Sequence, residues 1–215
     1  MAWGRTLSDC LAAMADRLEG LADAAARDAF RAALDAIELR PPEAMGTAAP
    51  DRRDLPMLRH WPRALAHATA IDPVLGSALE ALSPAFEWRQ NPNYVRQPPS
   101  PEFLDGYGYA VIAGAGGLIP AEIALGVLVL APGLLYPAHA HPAEEVYLVL
   151  DPASRWWRDG QEWRQGLGGA AVHHPPNVAH AMQAGPTQLC AVYLWRGALE
   201  VNAALVPPPE RVIEA

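Results

Sequence analysis

The sequence predicts a mainly β protein, an antiparallel sandwich or barrel, with an α-helical part at its N-terminus. Two observations carry this. Before residue 106 the apolar residues recur at three- and four-residue steps, the period of a helix; after Gly106 they recur every second residue, the period of a strand. The β-type runs are short, lie at roughly eight-to-twelve-residue spacing and are separated by Gly, Pro, Asn and Asp, as in sandwiches and barrels.

In chain order, Leu7 to Leu39 reads as helix on the spacing of Leu7, Leu11, Met14, Leu18 and Leu21 and then of Phe30, Leu34 and Ile37. Ser8-Asp9 is placed to cap its start, Gly20 to divide it, and Pro41-Pro42 to end it. Its stripe is expected to pack on the rest of the chain. Glu43 to Pro56 reads as a loop. The helical period returns from Leu58 to Leu82, broken at Asp72-Pro73, and Phe86 to Pro101 is irregular. His60 and His67 share this region without any accompanying acidic residue, so they read as surface or capping histidines. Strands are expected over Ala121 to Leu130, Glu144 to Leu150, Ala170 to His174 and Gln188 to Trp195. Trp156-Trp157-Arg158 and Glu162-Trp163-Arg164 flank Asp159-Gly160-Gln161 as a hairpin, and Pro132-Gly133 and Pro175-Pro176-Asn177 are turns. Gly114-Ala115-Gly116-Gly117 reads as a strand connection rather than a phosphate cradle. Pro207-Pro208-Pro209 reads as an extended tail. The division expected is a helical region over residues 1–105, a barrel over 106–200 and a tail over 201–215.

Composition narrows the function classes. Apolar residues make up 51% and charged residues 19%, an ordinary globular balance. A net charge of -8 argues against nucleic acid or an anionic membrane surface as partner, because both require a basic face. All basic residues are Arg, so Lys-based Schiff chemistry is excluded. Cys10 and Cys190 form no C-x-x-C, which excludes a cysteine-rich zinc site and disfavours a disulfide framework. No run reaches the roughly 18 apolar residues of a membrane span, so a soluble, cytoplasmic protein is expected.

The chemistry is concentrated in Gly133 to Tyr147, GLLYPAHAHPAEEVY. His139, His141 and Glu145 have the spacing H-x-H-x3-E. In an extended strand alternate residues face one side, so the two imidazoles project into one cavity, as do Glu145 and Tyr147. With His180 as the fourth group, after the turn at Pro175, they form a donor set suited to one divalent metal ion such as Zn, Fe, Mn or Ni. His173 and His174 are adjacent and point opposite ways; at most one faces the cavity, and neither is assigned.

These residues resemble the cupin superfamily. Its first motif is matched by Gly133, His139, His141 and Glu145, with Pro152 where the closing Gly stands; its second is matched by Gly169, Pro175 and His180. Asn177 occupies the second motif's inner Gly position, and Asn tolerates the left-handed conformation such a turn requires. Ala184 replaces the motif's final Asn. Within cupins the chain is most similar to the bacterial dimethylsulfoniopropionate lyases, through Tyr136 to Tyr147, the Trp-Trp…Asp-Gly hairpin and the stretch ending His180-Ala-Met. The resemblance covers roughly residues 120–196 and implies a jelly-roll barrel, or double-stranded β-helix.

The resemblance also implies an activity: β-elimination of dimethylsulfoniopropionate, a small sulfonium carboxylate, to acrylate and dimethyl sulfide. One divalent ion, with Zn, Fe or Mn expected, would sit on His139, His141, Glu145 and His180. Tyr136 is then the candidate general base, and Tyr147 is expected beside the metal or the substrate carboxylate. Aromatic faces attract a sulfonium; Trp195 and Tyr193 share a strand face for that role, and Trp156, Trp157 and Trp163 are further candidates. A homodimer is common among related folds. Two other classes remain open: another metal-dependent cupin enzyme, such as an Fe dioxygenase, told apart by oxygen uptake without dimethyl sulfide; and a non-catalytic small-molecule-binding cupin, for which no helix-turn-helix signature is present.

Overall fold

The computed structural model of the chain describes residues 2–39 and 54–206. Most of the loop expected over residues 43–56, the Pro41-Pro42 stop and the Pro207-Pro208-Pro209 tail lie outside the described residues. Helix α1 runs Ala2–Leu18 and α2 Ala24–Asp35. The break falls at Gly20 as expected, but Ser8-Asp9 lies inside α1 and caps nothing. The cap is Asp23 instead, whose carboxylate accepts from the Ala26 N–H at 3.0 Å. A 3-10 turn at Pro56–His60 leads into α3 (Trp61–Ile71), and α4 spans Pro73–Leu82. Asp72 separates these two helices. Its Oδ1 accepts from the Val74 and Leu75 N–H groups, while its Oδ2 accepts from Arg17 Nε at 2.9 Å, tying α1 to the α3–α4 joint.

The stretch read as irregular contains a two-residue strand, β1 (Trp88–Arg89), and α5 (Pro92–Arg96); the four-residue α6 (Phe103–Gly106) follows. A strand that short has no legible period. It exists because Trp88 is clamped edge-on against Trp61 and Phe86, at ring-centroid distances of 5.0 and 5.9 Å. Ten further strands follow: β2 Tyr107–Ala113, β3 Ala124–Leu130, β4 Leu135–Ala140, β5 Glu144–Val149, β6 Arg155–Arg158, β7 Arg164–Gln165, β8 Ala171–His174, β9 His180–Gln183, β10 Leu189–Arg196 and β11 Ala204–Leu205.

They form two antiparallel sheets, ordered β1-β2-β3-β10-β5-β8 and β11-β4-β9-β6-β7. From β3 onward the chain crosses between the sheets at almost every connection, which is the jelly-roll topology of cupins. Turns fall where the sequence places them: Gly133 and Gly160 have φ of 73° and 72°, and Asn177, at 62°, is the one described non-glycine residue with positive φ.

The six-stranded sheet is buried on both faces, which explains the near-continuous apolar run of β3. Ile112, Leu125, Val127, Val129, Val146, Leu148, Val192 and Leu194 pack against the helices. The alternate residues, among them Tyr107, Leu128, Tyr147, Val149 and Tyr193, face the barrel interior. Gly126 stands opposite Tyr193, and a Cβ there would lie 2.0 Å from Ala110 O and 2.5 Å from the Tyr193 hydroxyl oxygen. Gly126→Ala is therefore expected to cost about 3 kcal/mol through overpacking, read as a lowered urea midpoint.

Cys10 and Cys190 are buried and free, and burial raises both thiols, Cys10 to about 12. Among the described residues no helix is long and apolar enough to cross a membrane.

Candidate metal centre

His139 at the end of β4, His141 just beyond it and His180 at the start of β9 bring three ligand nitrogens within 4.8 Å of one another, all on buried residues. Glu145, fully buried on β5, completes the group with Oε2 3.0 Å from His141 Nε2 and 3.2 Å from His180 Nε2. The four residues of the H-x-H-x3-E…His reading thus converge.

The orientation of each imidazole is fixed from outside the cluster. Nδ1 of His139 lies 2.9 Å from Pro137 O, Nδ1 of His141 2.9 Å from Ala143 O, and Nδ1 of His180 2.9 Å from Val178 O. A carbonyl only accepts, so this bonding assigns the proton of each ring to Nδ1 and leaves the Nε2 lone pair directed inward. Two of those lone pairs then face a carboxylate oxygen at 3.0–3.2 Å, an arrangement that repels unless a proton or a cation lies among them. Buried His180 Nε2 also has no hydrogen-bond donor to satisfy it. An N3O set of this kind, with every outer nitrogen anchored, fits a divalent ion.

Electrostatics keep the ligands ready. Burial, and then the charge of His180, hold His139 well below the usual imidazole range. Burial alone raises the Glu145 carboxyl, but in the metal-free centre a proton held between it and the Nε2 atoms of His141 and His180 brings hydrogen bonds and positive charge that outweigh burial and hold the group well below the carboxylate range. Trp195 braces two of the three first-motif ligands, Glu145 and His141. Its Nε1 donates to Glu145 Oε1, and its ring stacks on His141 at 4.0 Å. Trp195→Phe retains the stack and removes the donor, so metal affinity is expected to fall about tenfold in a chelator competition.

The centre opens on a cavity of about 220 Å³ whose walls include Tyr107, Tyr109, Tyr136, Tyr147, Tyr193 and Trp195. The chain has six tyrosines; five line this cavity and the sixth, Tyr94, accepts a 3.1 Å hydrogen bond from Tyr136. Strict alternation from His139 would turn Tyr136 to the opposite face. The pairing of β4 with β9 shifts register between Tyr136 and His139, and this irregularity returns Tyr136 to the interior, stacked on His139 at 4.0 Å. Burial, reinforced by Tyr107 and Tyr94, pushes the Tyr136 phenol well above 10, and burial with the Glu145 charge does the same for Tyr147. Both phenols are therefore neutral in the protein alone, and a dication at the histidine cluster acts in the opposite direction.

Three tryptophans named as candidate walls do not reach the cavity. Trp156 packs behind Tyr147 with its Nε1 donating to Ser154 Oγ, Trp157 lines an outer groove, and Trp163 lies under Arg155. His60 bonds to its neighbour Arg59, and His67 bonds across the fold to Gln188. Sequence reasoning leaves His174 unassigned, yet it belongs beside the centre. It pairs across β5–β8 with Glu145, is buried, stacks on His180 at 4.0 Å, and bonds through neither ring nitrogen. His173 points outward to Glu144. Sequence reasoning also misses Tyr94, Tyr107, Tyr109, Arg89 and Asn202; the alternation of β2 is the available signal for Tyr107 and Tyr109.

Fold and site together define a jelly-roll protein with a buried three-histidine group that can hold a metal ion beside an aromatic cavity. The dimethylsulfoniopropionate lyase family profile matches residues 16–191, and the chain belongs to that family. It is 33% identical over 108 residues to the dimethylsulfoniopropionate lyase DddQ of Ruegeria pomeroyi, a match covering 50% of this chain and 54%, about half, of that relative's length. A chain from the crystal structures of the DMSP lyases RdDddP and RnDddQII superposes with a TM-score of 0.70 at 26% identity, covering 95% of this chain and 100% of that one. The crystal structure of DMSP lyase DddQ from Ruegeria pomeroyi DSS-3 shares the fold, with a TM-score of 0.62 at 24% identity over 90% of this chain and 97% of that one.

Proposed function

We propose that this protein is a metal-dependent carbon–sulfur lyase that cleaves dimethylsulfoniopropionate to acrylate and dimethyl sulfide by β-elimination. The observation that carries the reading is the set of inward Nε2 lone pairs around Glu145, opening on a tyrosine-walled cavity. Membership of the lyase family supports it. The donor set suits Zn, Fe or Mn. When bound at His139, His141, Glu145 and His180, such an ion supplies positive charge that stabilises the anion developing on the substrate carboxylate.

The remaining work falls to the chain's own residues. Tyr136, as the tyrosinate that the charge of such a dication favours, accepts through Oη the proton from the carbon next to the carboxylate. The C–H electron pair becomes the double bond, and the C–S pair leaves with sulfur as neutral dimethyl sulfide. Tyr94 Oη, 3.1 Å away, is the hydroxyl within reach to donate a hydrogen bond to that tyrosinate. Tyr147, beside Glu145 on the cavity wall, orients the carboxylate end, and the faces of Trp195 and Tyr193 receive the sulfonium. Headspace detection of dimethyl sulfide, run beside metal analysis of the same purified sample, tests this. Release that stops on chelation and returns with metal is expected; oxygen uptake without dimethyl sulfide would replace the reading with an oxygenase.

A further inference from the structure

We propose that Arg89, held at the mouth of the cavity by the loop Gly114–Gly117, is the cation that first meets carboxylate ligands and holds them in the cavity by its charge, while the carboxylate itself comes to rest at the metal centre beside Tyr147. This rests on the lyase reading only for the identity of the natural ligand. Arg89, Tyr109 and Asn202 line both the tyrosine-walled cavity and a groove on its outer side, so they form the rim between the two. Among the described residues lining the cavity, Arg89 is the one cation and Glu145 the one anion.

The position of Arg89 is built. Its neighbour Trp88 is buried in the Trp61–Phe86 cluster, and alternation along β1 turns Arg89 the other way, beside Tyr109 on β2. There the guanidinium lies on the glycine loop. A Cβ on Gly116 would sit 2.4 Å from Nη1 and 2.8 Å from Nη2, so a side chain at that position would push the guanidinium away. Gly116 has φ 70° and Gly114 φ 115°, and Gly116 O accepts from Arg89 Nη2 at 3.0 Å. The glycine-rich stretch, which bears no phosphate-cradling pattern, thus has a purpose: it lets the backbone pass under an arginine.

Only Nη2 is committed, to Gly116 O and to Glu87 Oε2 at 2.5 Å; Nε and Nη1 make no hydrogen bond with the described residues. A guanidinium fork with open N–H groups is the group best matched to a carboxylate. Glu87, itself 46% exposed, is a weak competitor for it. On a chain of net charge -8, a local cation at the rim is what an approaching carboxylate requires.

The test measures propionate and its uncharged isostere propionamide by titration calorimetry on the metal-containing protein, with metal content checked in every variant. Arg89→Met is expected to weaken propionate about fivefold to tenfold, leave propionamide unchanged and flatten the salt dependence of propionate binding. Arg89→Lys recovers part of the loss. Glu87→Gln, which frees the fork, tightens propionate. In turnover, Arg89→Met raises KM for the sulfonium carboxylate with kcat held within about twofold. Unchanged propionate affinity and salt dependence in both Arg89→Met and Glu87→Gln would overturn the proposal. A wild-type protein that binds propionate through Arg89 yet releases no dimethyl sulfide would overturn the lyase reading alone.

Discussion

His180→Ala is expected to abolish stoichiometric metal binding and to lower dimethyl sulfide release by at least about 100-fold, since even partners outside the ligand shell are worth 10–100-fold. His180 is the ligand the sequence places farthest from the others, and β4–β9 pairing sets it directly opposite His139. Its loss removes one of two imidazoles facing Glu145 and leaves the buried carboxylate with His141 and Trp195. Metal analysis and chelator competition read the first effect, and the dimethyl sulfide assay reads the second. Full metal occupancy in the alanine variant would show that the ion sits elsewhere.

Acid should expose the same electrostatics in the metal-free protein. Burial depresses His139 and His174, so below about 6.5 the unfolded chain binds protons that the folded protein does not, and stability falls as pH drops through that value. Glu145 adds a second loss. Its folded carboxyl is held below its unfolded value near 4.5, so its contribution is present above 4.5 and disappears as pH falls through the folded value. Bound metal opposes both losses, because it binds only the deprotonated ligands of the folded chain.

The ligand set is legible because period-two alternation and the i, i+2 histidines are local facts. What lies outside local pattern is lost. Tyr136 reaches the interior through a register shift between it and His139, and parity alone sends it the wrong way. His174 is inward because β8 pairs with β5 at Glu145, a long-range register that no run of residues declares. β1 is held by side-chain packing on α3, and Arg89 gains its place from a glycine loop 27 residues away. The tryptophans of the β6–β7 hairpin are candidate cavity walls on residue type alone; the sheet order sets that hairpin at the far edge of the second sheet.

Tyr136→Phe is expected to lower kcat by about 10²–10⁴-fold, the range for losing a positioned base, while the bound metal and the fold are retained. Phenylalanine preserves the stack on His139 and the edge contacts with Tyr94, Phe103 and Tyr107, so the change is confined to one oxygen. That oxygen donates to Tyr94 in the neutral state; once deprotonated it must accept, and the Tyr94 hydroxyl is the donor within reach. Tyr94→Phe should therefore leave a working enzyme whose alkaline activation moves to higher pH, because tyrosinate loses its hydrogen bond. Turnover by the two cavity-wall variants then separates the assignments. If Tyr136→Phe turns over at the wild-type rate and Tyr147→Phe does not, the base is Tyr147, whose phenol borders the same cavity beside Glu145. If both variants retain turnover, neither phenol accepts the proton and the elimination must draw its base from another group on the cavity wall.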